Sequence, residues 1–238
     1  MNSLSKDDFL EGQLLLIDKP LGWTSFQAVN KLKWAIRKKF HLKKIKIGHA
    51  GTLDPLATGL LLICTGKFTK KIIDLQGLVK EYTGTITLGA TTPSFDMETD
   101  INETYATDHI TDQLIHETTS RFIGEIEQVP PVFSALKKDG KRLYEYAREG
   151  KKVEIKKRLI TISEFEISAI NLPEIDFRVV CSKGTYIRSL ANDFGKALQS
   201  GGHLSALRRT KIGDFNVNKA LDPIVFGEML LGNGEKSE

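Results

Sequence analysis

The sequence predicts one α+β domain built around a mostly antiparallel mixed sheet flanked by helices and loops. Three observations lead there. Segments with strand and helix patterning interleave irregularly, without a steady strand–helix alternation. No repeat of solenoid period and no low-complexity tract divides the chain. Its 238 residues, 40% hydrophobic and 27% charged, suffice to bury a core without disulfides or metal.

Taken in order, Leu14–Ile17 reads as a short buried strand closed by the turn Asp18-Lys19-Pro20-Leu21-Gly22. Thr24 or Ser25 then caps a helix with Val29, Leu32, Ile36 and Phe40 on its apolar face. Lys31, Arg37 and Lys38 occupy the other face. A glycine-rich loop follows from Gly48 to Gly59. Tyr82–Leu88 alternates through Thr83, Thr85 and Thr87 as a strand does. Residues 112–122 read as a helix, and 141–150 as a shorter one ending at a glycine. Strands are expected around Leu159–Ile167 and Asp176–Cys181, then a helix from about Tyr186 to Gln199 and the loop Ser200-Gly201-Gly202. Residues 1–232 form the expected domain, and 233–238 a disordered tail.

The net charge of +4 is modest but segregated. Lys31, Lys33, Arg37, Lys38, Lys39, Lys43, Lys44 and Lys46 lie in one segment without an acid. Further basic clusters lie at 151–158 and at Arg208, Arg209 and Lys211. The stretch Asp96–Glu127 is acidic, with Arg121 its only Lys or Arg. A single such cluster is ordinary for a solvated helix face; three together point to a polyanion, most often nucleic acid. Two cysteines, no apolar leader and no apolar run long enough to span a bilayer make the cytoplasm the expected compartment. The five histidines lack metal-ligand spacing, and there is no Gly-x-Gly-x-x-Gly loop. Thr65-Gly66-Lys67-Phe68-Thr69 fails as a phosphate loop because position 61 is leucine.

The most informative segment is the fourteen-residue string from Gly48 to Leu61, with Asp54-Pro55 at its centre. Pro55 keeps Asp54 out of helical backbone, so its carboxylate sits on an extended or turn segment. An isolated Asp-Pro more often caps a helix that starts with the proline. The whole string, however, resembles the catalytic loop of the TruB family of tRNA pseudouridine synthases. The resemblance extends to Leu15–Gly22, Lys80-Glu81-Tyr82, Gln128–Lys137, Leu143–Gly150, Cys181–Arg188, Gly202-His203-Leu204 and Leu207-Arg208-Arg209, in the family's order.

That resemblance implies the pseudouridine synthase fold and isomerisation of a flipped-out T-loop uridine, position 55 of tRNA, to pseudouridine without a cofactor or metal. It implies Asp54 as the nucleophile, acting by attack at C1′ or by proton removal at C2′. Arg188 matches the arginine that holds this carboxylate ionised, and Tyr82 the tyrosine that stacks on the base. His49 matches a residue that helps extrude the base, and Tyr186 and Leu207 match the uracil pocket. Lys19, Lys70 and Asp96 match polar positions around the substrate. An RNA-gripping insertion is implied at about 126–152. Base flipping costs a few kcal/mol, which backbone contacts must offset. Arg37, Lys38, Lys137, Arg208, Arg209 and Lys211 are the expected contacts. The chain stops soon after Leu221-Asp222-Pro223, so no C-terminal RNA-binding domain of the PUA type is expected, and a monomer suffices. The basic clusters alone would suit an RNA chaperone that helps tRNA fold without changing it; a related synthase acting on another RNA ranks third.

Overall fold

The computed structural model describes residues 4–134, 136–151 and 153–232; the expected tail at 233–238 lies outside the described residues. Contacts group the chain into two compact units, Met1–Lys80 with Arg208–Glu238, and Glu81–Leu207.

The first unit opens with helix α1 (Lys6–Glu11), whose Ser5 cap and Asp8 exchange backbone and side-chain hydrogen bonds. Strand β1 (Leu14–Lys19) leads through a turn to α2 (Ser25–Phe40). Thr24 caps α2 and forms a capping box with Gln27, and Ala28, Val29, Leu32, Ala35 and Ile36 are buried. The helical period thus places the expected stripe inward, with Phe40 half-buried at its end. Strand β2 (Ile47–His49) and strand β3 (Ala57–Thr65) flank the glycine-rich loop. β3 pairs antiparallel with β1 from Leu14↔Cys64 to Lys19↔Gly59, and with β2 from Ile47↔Thr65 to His49↔Ile63. Leu61 and Ile63 enter a core with Phe9, Ile17, Leu32 and Ile36; Leu60 and Leu62 enter another with Ala50, Ile212 and Val217. Both faces of β3 are covered, which is why Leu60–Cys64 is uninterruptedly apolar. A 3₁₀ turn (Gly66–Lys71) and α3 (Ile72–Gly77) follow.

The second unit begins on β4 (Lys80–Leu88) and carries the small pair β5 (Ala90–Thr91) and β6 (Glu103–Thr104). Thr111 caps α4 (Asp112–Ser120), which precedes β7 (Gly124–Gln128). β8 (Lys137–Lys138) and β9 (Lys141–Arg142) form a hairpin before α5 (Leu143–Arg148). β10 (Arg158–Asn171) and β11 (Glu174–Cys181) are a long antiparallel pair, followed by α6 (Ile187–Ala197) and β12 (Gly202–Ile212). Within this unit the sheet runs β12-β4-β11-β10-β7. Phe122, Phe165, Phe177 and Phe194 pack beneath it in tilted and edge-on pairs with centroids 5.4–6.3 Å apart.

From Arg208 onward β12 belongs to the first unit, where it lies beside β3. β13 (Phe215–Asn216) pairs back on its end, and α7 (Pro223–Leu231), capped by Asp222, packs against α2. The α+β class with an antiparallel sheet is as the sequence predicts. The reading placed neither β12 nor α7. The expected helix at 141–150 gives its first two residues to β9, and the strand expected at 159–167 runs on to Asn171.

Gly59 marks the tightest crossing. It adopts φ +102°, and a Cβ there would lie 2.3 Å from the Arg209 carbonyl oxygen. Gly59→Ala is therefore expected to cost about 3 kcal/mol, from strain and overlap together. Urea unfolding would register it as a lower midpoint at constant slope; an unchanged midpoint would refute the crossing.

Candidate active site

The loop between β2 and β3 departs from strand geometry after Ala50, whose N–H still donates to Leu62 (2.8 Å). Gly51 takes φ +99°, which a side chain rarely adopts. Asp54, Pro55, Leu56 and Ala57 form a turn closed by the Ala57 N–H on the Asp54 carbonyl (3.1 Å), with proline at its second position. No helix follows Pro55, so Asp54 is not a helix cap.

Three residues from elsewhere in the unit bind this loop. Ser25, buried at the start of α2, accepts from the Leu53 N–H (2.8 Å) and donates to the Leu53 carbonyl (3.0 Å). Gly22 donates its N–H to the Pro55 carbonyl at 2.9 Å. Arg209 is 1% exposed; its Nε donates to Leu60 (2.7 Å) and its terminal nitrogens to Gly51 (3.0 Å) and Thr52 (3.4 Å). The backbone on both sides of Asp54 is thereby fixed, while Asp54 itself stays half-buried.

Charge is concentrated here. Lys19, fully buried at the end of β1, donates to the carbonyls of Pro20 (3.0 Å) and Trp23 (2.6 Å). Burial pulls its ammonium down to about 8; the Asp54 carboxylate opposes this and Arg209 adds to it. His49 is also held below its ordinary value, by burial and then by Arg209. Its Nδ1 has no hydrogen-bond partner among the described residues. Arg208, next to Arg209, turns the other way and grips Asp18 with two bonds of 3.0 and 2.6 Å. Lys70 is exposed on the 3₁₀ turn, and Lys211 is half-buried on β12.

In the second unit, Tyr82 is buried on β4. Arg188, 5% exposed at the start of α6, lies 3.5 Å from Asp96 and donates to the carbonyls of Ser94 (3.2 Å) and Phe133 (2.9 Å). Asp96 in turn accepts the Glu98 N–H at 2.9 Å. Tyr186 caps α6, exchanges two backbone bonds with the Gln128 side chain, and has the Arg158 guanidinium 5.5 Å from its ring centre. Leu207 is half-buried on β12, and Lys137 stands in the hairpin with its side chain outside the described residues.

A family model described as TruB family pseudouridylate synthase (N terminal domain) matches residues 37–187, and one described as tRNA pseudouridylate synthase B C-terminal domain matches 188–224. The chain belongs to the TruB family. A Flavobacterium johnsoniae protein named tRNA pseudouridine synthase B is 68% identical over 95% of this chain and 100% of its own length. One of the same name from Phocaeicola vulgatus is 57% identical, covering 94% and 95%. Among solved structures, a chain of a Cbf5-Nop10-Gar1 complex superposes with TM-score 0.66 at 31% identity. The match takes in 90% of this chain and 52% of that one, so this chain spans about half its length. The architecture is the pseudouridine synthase fold.

Of the positions that match TruB motifs, the structure groups Lys19, His49 and Asp54 in the first unit. Tyr82, Asp96, Tyr186, Arg188 and Leu207 fall in the second, where Asp96 and Arg188 are joined. One expectation is corrected. Arg209 was assigned to RNA phosphates, but a buried guanidinium bound to three carbonyls is not available to a surface ligand. The sequence reading missed the roles of Ser25 and Arg209 in holding the loop, and the network in which Arg178 binds Glu81, Glu164 and Glu166. Among the described residues no cluster of metal-ligating side chains occurs, and no helix is long and apolar enough to cross a membrane.

Arg209→Lys keeps the charge but not the planar fork that meets three carbonyls at once. It is expected to cost about 3 kcal/mol of stability, and roughly a hundredfold in single-turnover rate through misplacement of Asp54. A full-rate variant would contradict the positioning role. For Lys19 the folded value lies below the unfolded 10.5, so between about pH 8 and 10.5 the unfolded chain holds the extra proton. Its contribution to stability therefore rises with pH across that window and is least favourable below it. The stability difference between wild type and Lys19→Met should shift towards wild type as denaturation is repeated from pH 7.5 to 9.5. A flat difference would refute the burial effect.

Proposed function

We propose that this protein isomerises the T-loop uridine of tRNA (position 55) to pseudouridine, with Asp54 as the nucleophile. The reading is supported chiefly by a half-buried carboxylate on a rigidly bound irregular loop, in a chain that matches tRNA pseudouridine synthase B of Flavobacterium johnsoniae over that protein's full length. Isomerisation breaks the N1–C1′ bond and forms C5–C1′, so no electron or group leaves and no cofactor is required. A carboxylate suits both routes: it can attack C1′, or take a proton from C2′, as positive charge develops on the sugar.

Tyr82 and Arg188, matched through the family motifs, are its proposed catalytic partners; Lys70, Asp96, Tyr186 and Leu207 are proposed to contact the substrate. His49, matched through the same motifs, is proposed to help extrude the base. Arg37, Lys38, Lys137 and Lys211 are proposed to meet phosphates. Arg208 joins them only at the rim, since Asp18 already takes its two terminal nitrogens. Residues 1–232 act as one catalytic domain, in the cytoplasm and as a monomer.

Asp54→Asn separates catalysis from binding. Turnover on unmodified tRNA is expected to fall below detection while the dissociation constant changes less than about threefold, since Asp and Asn are isosteric. A variant that still makes pseudouridine would dismiss Asp54 as nucleophile. If the wild type binds tRNA but neither form isomerises it, the chaperone reading replaces this one. Affinity should also fall steeply between 50 and 200 mM salt if several phosphates are neutralised, by about tenfold or more.

A further inference from the structure

Helix α2 carries a feature that the proposed chemistry leaves unused. Trp34 is 41% exposed on its outer face, although tryptophan is usually well covered in a folded chain. The ammonium groups of Lys31 and Lys38, one turn to either side, lie 5.4 and 5.2 Å from its ring centre. No acid occurs between Asp18 and Asp54, so the ring sits in a stretch of wholly positive charge. The rest of the helix has its structural work elsewhere: Ala28, Leu32, Ala35 and Ile36 fill the core, and Gly227 of α7 approaches Lys31 and Ala35.

The helix is also tied to the catalytic loop. Ser25, its first residue, makes both hydrogen bonds to Leu53. Trp34 is nine residues further on, about 14 Å along the axis at 1.5 Å per residue. Nine residues also turn the helix by about half a revolution, so Trp34 faces away from Ser25, and only an RNA extending well beyond the reacting nucleotide meets this face. Lysines alone serve for phosphates. A planar apolar ring among them suits a different part of the ligand, the face of a base that is not already stacked. A base inside a duplex offers no such face.

We propose that Trp34 is a stacking station for one unpaired base of the tRNA outside its T-arm, with Lys31 and Lys38 turning from the ring to the flanking phosphates. This rests on the tRNA reading above, and supplies contacts beyond the reacting arm. An acidic protein segment would be met by the lysines and leave the ring without a role.

The test compares two RNAs, a full-length unmodified tRNA transcript and a hairpin of the T-arm alone. For the wild type, the ratio of their affinities measures what contacts beyond the T-arm contribute. Trp34→Leu is expected to shrink this ratio by roughly tenfold, because a stacked base is worth about that much. Trp34→Phe, which keeps a smaller ring, should retain most of it. Thermal denaturation of both variants checks that the exposed position leaves folding intact. A ratio that is the same in wild type and Trp34→Leu overturns the proposal. If the wild type modifies neither RNA, the tRNA reading fails instead, and the two failures are distinct.

Discussion

Everything at this site depends on backbone groups that an irregular loop leaves without ladder partners. Between Ala50 and Ala57 the chain runs off the edge of the β2–β3 pair, and buried carbonyls and amides there must be satisfied or cost free energy. Arg209 takes the loop carbonyls of Gly51 and Thr52, anchored by its bond to Leu60 on β3, and the Ser25 hydroxyl takes both polar groups of Leu53. A side chain that must be placed accurately is thus carried on a segment with little freedom left. Gly59 completes the device by letting the backbone of β12 come close enough for Arg209 to reach inward.

The arrangement also divides labour among cations that look alike in sequence. Arg208 and Arg209 are neighbours on a strand, so their side chains leave on opposite faces. One grips Asp18 at the half-exposed rim; the other is enclosed and bound to main chain. Lys19, equally enclosed, is held by two carbonyls and by the field of Asp54. These inner charges serve the loop that carries the carboxylate, whereas Arg37 and Lys38 on α2 stay exposed. Arg188 follows the inner pattern in its own unit, bound to Asp96 and two carbonyls.

Much of this was legible beforehand where a local rule was strong. The Thr24 cap and the apolar stripe of α2 follow from helical period, and the strand at Tyr82 from its alternation with threonines. Asp54 stood out through the string around it. What escaped was set by partners far along the chain. β12 was unreadable as a strand because Arg208, Arg209 and Lys211 interrupt any apolar alternation, and the need for a buried arginine arises 149 residues away at Leu60. Strand parity would have divided the two arginines had the strand been recognised. α7 was passed over because apolar residues fall on its exposed face too, among them Ile224, Val225 and Met229.

The central claim is that a fixed Asp54 turns one T-loop uridine of tRNA into pseudouridine. Mapping pseudouridine, nucleotide by nucleotide, in an unmodified tRNA transcript incubated with the purified protein addresses it most directly. A single modified nucleotide at the T-loop position is the expected result. An unmodified T-loop, or pseudouridine appearing only elsewhere, would contradict it.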